Sequence, residues 1–241
     1  MRAILTWHSV DSSGSPISVS PAEFRLQVDW LASGSVRVVA LEDLPGLSSE
    51  GPAVALTFDD GFANFATEAA PLLRQNGLAA TVFVVTDHVG RDNRWGGRNE
   101  PGIPVLPLLD WDALARVRES GVRLGAHTRT HPRLPGLDEA ALESELGLAA
   151  EEMERRLGER PVCFAYPYGA LDARTAAAAA RWYRYACTTE LRAVAPDDQP
   201  HRLPRLDAWY LRSPRRLASF GSRSFRAWIW GRRQARRVRS H

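Results

Sequence analysis

Asp59 and Asp60, followed by Gly61, are adjacent carboxylates at the end of the apolar run Ala53–Phe58. Neighbouring residues of a strand point to opposite sides, so two carboxylates where the chain turns through a glycine can be given different jobs. An isolated Asp-Asp-Gly also serves as a solvated turn or helix cap. Farther on, His127 and His131 are separated by Thr128, Arg129 and Thr130. Imidazoles four apart lie on one side of a helical turn and can converge on one cation, and the small hydroxyl residues between them leave room; the same spacing also occurs in purely structural pairs. The third group is Tyr166-Pro167-Tyr168-Gly169. Pro167 fixes its own φ and restricts Tyr166, and Gly169 permits a sharp exit. Such a rigid turn can aim a backbone N–H or a phenol into a pocket, or simply pack a rim.

The elements that position these groups alternate between β-branched apolar runs and stretches of helical periodicity. Strands are predicted over residues 3–7, 36–41, 53–58, 80–85, 122–126, 162–165 and 185–188, and helices over 21–32, 63–75, 111–119, 138–157 and 171–182. Ser20, with Glu23 three residues on, is a capping pair for the first helix. This βαβα rhythm argues for a parallel sheet, and seven strands in one chain favour a barrel over an open sheet. His8, the Asp pair, the His pair and the Tyr-Pro-Tyr turn all lie just past the C-terminal ends of different strands, the end where a parallel barrel assembles its active site. That co-location converts three weak signals into a metal-assisted catalytic site. The stretch 87–107, rich in Gly, Pro and Arg and containing Trp95, is too long for a simple connector and too broken for a helix, and it reads as a loop covering that site.

Composition narrows the class. With 44% hydrophobic and 24% charged residues the chain is globular rather than disordered or fibrous. No apolar run approaches the roughly 20 residues that cross a bilayer, and residues 1–8 lack the apolar core of a signal peptide, so a cytoplasmic location is expected, peripheral at the inner face of the membrane if the C-terminus binds lipid. Cys163 and Cys187 are too few for a disulfide framework and read as buried thiols. All 31 basic residues are arginine, and their distribution is uneven: from Arg202 onward there are twelve Arg against Asp207 alone, a net charge of +11, which leaves −8 for the preceding residues and +3 for the whole. The segment also carries Phe220, Phe225, Trp228, Ile229 and Trp230, and reads as a ligand for an anionic membrane surface or an acidic protein. No recognition motif for nucleic acid accompanies it.

In order and spacing, Leu56-Thr57-Phe58-Asp59-Asp60-Gly61, His127-Thr128-Arg129-Thr130-His131 and Phe164-Ala165-Tyr166-Pro167-Tyr168-Gly169 resemble the three leading motifs of the polysaccharide deacetylases with a NodB homology domain, carbohydrate esterase family 4. The likeness extends loosely from Ala3 to about Arg205, taking in His8 and Trp111. It implies an α/β fold, a distorted (β/α)7 TIM-like barrel over residues 1–205, with residues 206–241 as a basic, aromatic-containing C-terminal extension. It also implies a divalent metal, zinc before cobalt, nickel or manganese, on Asp60, His127 and His131, with Asp59 as general base and the Tyr168 backbone N–H on the oxyanion. Tyr166, Pro167, Trp95, His8 and Arg205 are assigned to the surfaces that meet substrate, Trp95 either stacking on a sugar or packing its loop onto the barrel.

Two features depart from the family pattern. Many relatives carry an Arg two residues before the proline of the third motif, where this chain has Ala165; Arg205 is the candidate replacement. The late Leu-x-x-His that supplies a general acid is not visible; His201 is a candidate substitute and His8 another. The activity expected is removal of an N-acetyl group from an amino sugar in a polysaccharide, an oligosaccharide or a lipid-linked glycan. Two alternatives stand beside it: a deacylase or deformylase of another small amide, and a non-catalytic glycan-binding protein tethered by its basic extension.

Overall fold

Every neighbour in the main sheet runs parallel, as the βαβα rhythm requires. The structure, a computed structural model, describes residues 1–48 and 51–239, with side chains through residue 236. Its strands are β1 (Arg2–Trp7), the short pair β2 (Ser9–Val10) and β3 (Ser18–Val19), β4 (Arg37–Val38), β5 (Ala53–Phe58), β6 (Thr81–Val84), β7 (Arg123–Ala126), β8 (Cys163–Ala165), β9 (Tyr185–Cys187) and β10 (Leu206–Asp207). The helices are α1 (Pro21–Ala32), α2 (Ala70–Gln75), α3 (Trp111–Glu119), α4 (Glu139–Leu157), α5 (Ala173–Trp182), α6 (Pro214–Ala218) and α7 (Arg223–Arg239). Main-sheet order is β10-β1-β5-β6-β7-β8-β9, with β4 beside the first half of β5 and β6 beside its second half. That division of β5 between two neighbours opens and distorts the barrel. Closure comes from one segment: Leu203 bridges to Cys187 of β9, and three residues later Leu206 pairs with Leu5 of β1.

Strand alternation separates two cores. Ile4, Ala55, Phe83, Cys163, Ala165 and Cys187 fill the barrel interior, while Leu5, Leu56, Val82, Phe164 and Ala186 pack outward against the helices. Local signals hold where their chemistry is explicit. Ser20 and Glu23 form the reciprocal capping box of α1, and Asp110, Asp138 and Asp172 cap α3, α4 and α5. The helix predicted over 63–75 starts instead as a π-turn, Phe65–Ala69, because Pro71 brings no N–H to continue an α-helical ladder. The strand predicted over 36–41 shrinks to Arg37–Val38.

The expected boundary after residue 205 is corrected. It falls inside the closing segment, and the chain beyond it is not a separate extension: β10 is a strand of the barrel, and Leu211, Leu217, Phe225 and Ile229 are buried in its outer core. Residues 240 and 241 lie outside the described residues. Among the described residues no helix is long and apolar enough to cross a membrane.

Gly125 shows how tightly the interior is filled beneath the His pair. A Cβ there would stand 2.6 Å from the Phe83 ring and 2.9 Å from the Cys163 carbonyl oxygen. Gly125→Ala is therefore expected to destabilise the fold by about 1–3 kcal/mol through overpacking, read as a lower urea midpoint at unchanged slope.

Candidate active site

The C-terminal ends of β1, β5, β7 and β8 deliver His8, Asp59, Asp60, His127, His131 and Tyr168 to one cleft, whose walls also include Asn93, Trp95, Glu100, Ile103 and Thr189. Asp59 continues the alternation of β5 and points into the barrel. By the same alternation Asp60 would point out. Instead its φ of 69° and the hydrogen bond from the Gly61 N–H to the Asp59 carbonyl form a tight three-residue turn that carries its carboxylate to the same cleft. Its Oδ1 lies 3.4 Å from Nε2 of His127 and 3.4 Å from Nε2 of His131, and it is buried with no hydrogen-bond partner.

The histidines converge by another route than the helical turn the spacing suggests. His127 directly follows β7, and Thr128 and His131 take φ values of 67° and 64°, so a non-helical loop folds one ring back beside the other. The Thr128 hydroxyl accepts from the His131 N–H. The buried carboxylate of Glu145 on α4 accepts from the Arg129 N–H, the Thr130 N–H and the Thr130 hydroxyl, at 2.9, 3.0 and 2.7 Å. Sequence reasoning missed Glu145; its signal was an acidic residue between Leu142 and Leu146 on the apolar stripe of α4. Nδ1 of His127 donates to the Ala165 carbonyl at 2.7 Å, which leaves Nε2 with a lone pair aimed at Asp60.

This donor set suits a divalent cation. Ligand atoms about 2.0–2.1 Å from a tetrahedral ion stand roughly 3.3–3.4 Å apart, close to the spacing of Asp60 from each imidazole, and the three donor atoms all lie within 4.8 Å of one another. Two imidazoles and one carboxylate are the ligand chemistry of a hydrolytic zinc site with open positions. Burial pushes the His131 imidazole down, toward the neutral form that ligates, and although burial alone would raise Asp60, the two histidine rings beside it hold it well below the usual carboxylate range.

Asp59 is held differently. Arg205, 1% exposed, donates from Nη1 and Nη2 to its two oxygens at 2.6 and 2.7 Å, from Nε to the Thr188 carbonyl at 2.9 Å, and from Nη1 to the Thr6 and Thr57 hydroxyls. Small interior residues, Ala55, Ala165 and Cys187, leave room for it. Burial would raise the Asp59 carboxyl, but the Arg205 guanidinium and the His127 ring offset this and hold it below its ordinary range. The remaining predicted residues divide. His8 is 3.8 Å from Asp59 Oδ2 and lines the cleft. Trp95 lines it too, with one face stacked on the His131 ring at 4.4 Å, while its loop is pinned by Asn93, which donates to the Pro104 carbonyl and accepts from the Leu106 N–H. Tyr168 has a φ of 59° and its ring packs against His131. His201 is not in the cleft: its Nε2 is engaged at the Tyr183 carbonyl, before β9 rather than after it, so its candidacy as proton donor is withdrawn. Tyr166 and Pro167 are buried outside the cleft lining, Tyr166 with its phenol donating to the His201 carbonyl, so they shape the turn rather than meet substrate. Arg205 likewise lies beneath the cleft, bonded to Asp59 rather than facing substrate.

Arg205→Ala leaves Asp59 buried and unpaired, and is expected to cost about 3–5 kcal/mol in urea unfolding at neutral pH; a change under about 1 kcal/mol would show that the pair does not organise the interior.

Residues 47–186 match the family model described as polysaccharide deacetylase. The poly-beta-1,6-N-acetyl-D-glucosamine N-deacetylase of Staphylococcus epidermidis is 26% identical over 203 residues, 78% of this chain and 67% of that protein. Among solved structures, the Streptococcus pyogenes deacetylase PplD in complex with acetate superposes with a TM-score of 0.73 at 21% identity, covering 85% of this chain and 91% of that one. IcaB from Ammonifex degensii does so with 0.71 at 22% identity, covering 95% and 96%. With its three motifs on one end of a parallel barrel and more than half its length inside the family model, the chain belongs to the polysaccharide deacetylase family, hydrolases acting on carbon–nitrogen bonds other than peptide bonds.

Proposed function

We propose that the protein is a metal-dependent N-deacetylase that hydrolyses the N-acetyl group of an amino sugar in a polysaccharide, oligosaccharide or lipid-linked glycan. The observation that carries this reading is the unpartnered Oδ1 of Asp60 between two imidazole nitrogens, beside a second carboxylate that is paired elsewhere. The activity in the name of the Staphylococcus epidermidis relative supports the substrate class.

Asp60, His127 and His131 would hold the ion, zinc in first place with cobalt, nickel or manganese as alternatives. When bound, such an ion polarises the amide carbonyl and lowers the pKa of water. Asp59 is not a ligand in this assignment; it accepts the proton of the attacking water, and Arg205, gripping both its oxygens, keeps it ionised and oriented. The backbone N–H of Tyr168, in the turn locked by the hydrogen bonds from Gly169 to Tyr166 and from Ala170 to Pro167, donates to the developing oxyanion. His8, 3.8 Å from Asp59 in the cleft wall, gives a proton to the departing nitrogen. Water adds across the C–N bond, so the products are acetate and a free amine. The indole of Trp95 walls the site beside His131 and bounds the space open to the sugar.

Asp59→Asn is expected to lower turnover by about 10²–10⁴-fold while retaining metal, and His127→Ala to lose metal together with turnover. Acetate release and metal content are measured on the same preparations; equal metal loss in both variants would refute the division of roles. Chelation should abolish acetate release, and zinc or cobalt should restore it. A panel of N-acetylglucosamine oligomers against N-formyl and other small amides separates the sugar substrate from the wider amide class.

A further inference from the structure

The arginines after residue 205 are arranged in a way that the proposed chemistry does not use. Arg212 lies 4.1 Å over Trp209, Arg216 3.9 Å over Trp228, Arg232 5.7 Å from the Trp228 ring and 5.9 Å from that of Tyr210, and Arg236 5.1 Å over Tyr210. Guanidinium and aromatic ring alternate across α6, α7 and the turn before them. A ring held against a guanidinium orients it without cancelling its charge, whereas a carboxylate would cancel it. Among the described residues, Arg212, Arg233 and Arg236 have carboxylate partners, Glu23, Glu190 and Asp207, while Arg215, Arg216, Arg223, Arg226 and Arg232 have none within 4 Å. The surface therefore keeps most of its positive charge available to something outside the chain.

The form of α7 points to a lipid surface. Phe225 and Ile229 bury its inner face against the barrel. Its outer face carries Ser224, Ala227, Trp230, Gly231 and Gln234, with Arg223 and Arg226 beside them, and Trp230 is 62% exposed, a large indole left in water. An exposed tryptophan flanked by arginines is a pattern found where the side of a helix meets a membrane interface. It is a poorer platform for nucleic acid, because guanidinium groups already stack on the rings of Trp209, Tyr210 and Trp228 and compete there with bases.

The helix also has a fixed relation to the cleft. Its first turns lie against Met1, at the start of β1, and Arg233 pairs with Glu190 at the opposite end, next to Thr189, a residue of the cleft wall. We infer that the outer face of α7, with the arginine–aromatic array beside it, docks on an anionic lipid bilayer and brings the mouth of the cleft to the membrane. Resting on the deacetylase reading, this favours substrates presented at a membrane, a lipid-linked glycan before a free soluble chain.

The test is co-sedimentation of the full chain with phosphatidylcholine vesicles made with and without phosphatidylglycerol, at low and high salt. Binding is expected to require the anionic lipid and to weaken with salt. Arg223→Glu with Arg226→Glu should lower the partition coefficient by roughly 30-fold or more, and Trp230→Ser by about tenfold. Both sites are exposed, so thermal unfolding should stay near that of the parent chain. Equal binding to neutral vesicles, unchanged partitioning of the variants, or tighter binding to an RNA homopolymer that Trp230→Ser leaves intact would each overturn the proposal, the last in favour of nucleic acid. Acetate release from a soluble N-acetylglucosamine oligomer should be the same in all these chains, while release from a vesicle-anchored N-acetylated glycan should fall with partitioning. Failure of the parent chain on both substrates would count against the deacetylase reading alone, because docking is decided by sedimentation.

Discussion

The ion pair between Arg205 and Asp59 is the constraint around which the barrel interior is arranged. Both groups are almost wholly buried, and a buried charge without a partner is strongly destabilising, so each commits the segment that carries it to one position. Asp59 directly follows the central strand β5. Arg205 sits in the segment that joins β9 to β1, between the Leu203 bridge and the Leu206 pairing. Closing the barrel and placing the carboxylate are therefore one event. The Thr188 carbonyl accepts the Nε hydrogen, and the Thr6 and Thr57 hydroxyls share the second hydrogen of Nη1, which helps to make burial of so large a cation tolerable.

Backbone strain has its origin in the same arrangement. Among the described residues, those other than glycine with positive φ are Asp60, Thr128, His131 and Tyr168, and all four flank the cleft. For a β-branched threonine this conformation is a genuine outlier, and such residues persist where the surroundings over-determine them. Here they do: Glu145 fixes the loop of Thr128 and His131 with three hydrogen bonds, and the Gly61 N–H fixes Asp60. The strain has a chemical use. A relaxed β5 would send Asp60 to the outer face, and a relaxed helical turn would set the two imidazoles at helical spacing rather than equidistant from one carboxylate oxygen.

What the sequence made legible tracks how local the physics is. The cap of α1 was readable because Ser20 and Glu23 act within one turn of each other. The four polar residues of the candidate site were readable because residue type and strand-end position coincide. Arg205 could be picked out only by its place after the last predicted strand; its bidentate grip on Asp59 spans 146 positions, a distance at which no periodicity survives. His201 was offered in place of the absent late Leu-x-x-His, yet the loop before Leu203 turns its imidazole to the Tyr183 carbonyl. The compositional break after Arg202 was real, but composition cannot distinguish a free extension from a helix whose Phe225 and Ile229 are core residues.

Two charge systems meet in this part of the molecule. The buried arginine and the surface arginines belong to one continuous run of chain, with opposite solutions to the same problem. Arg205 is neutralised by a carboxylate because the interior cannot solvate it; Arg216 and Arg232 are held by rings because water can. Between them lies β10, bonded to β1 on one side, with Leu206 against Phe225 and Ile229 of α7 on the other. The family model ends at residue 186, so the partner of the candidate base and the helix that braces it both lie beyond the matched segment.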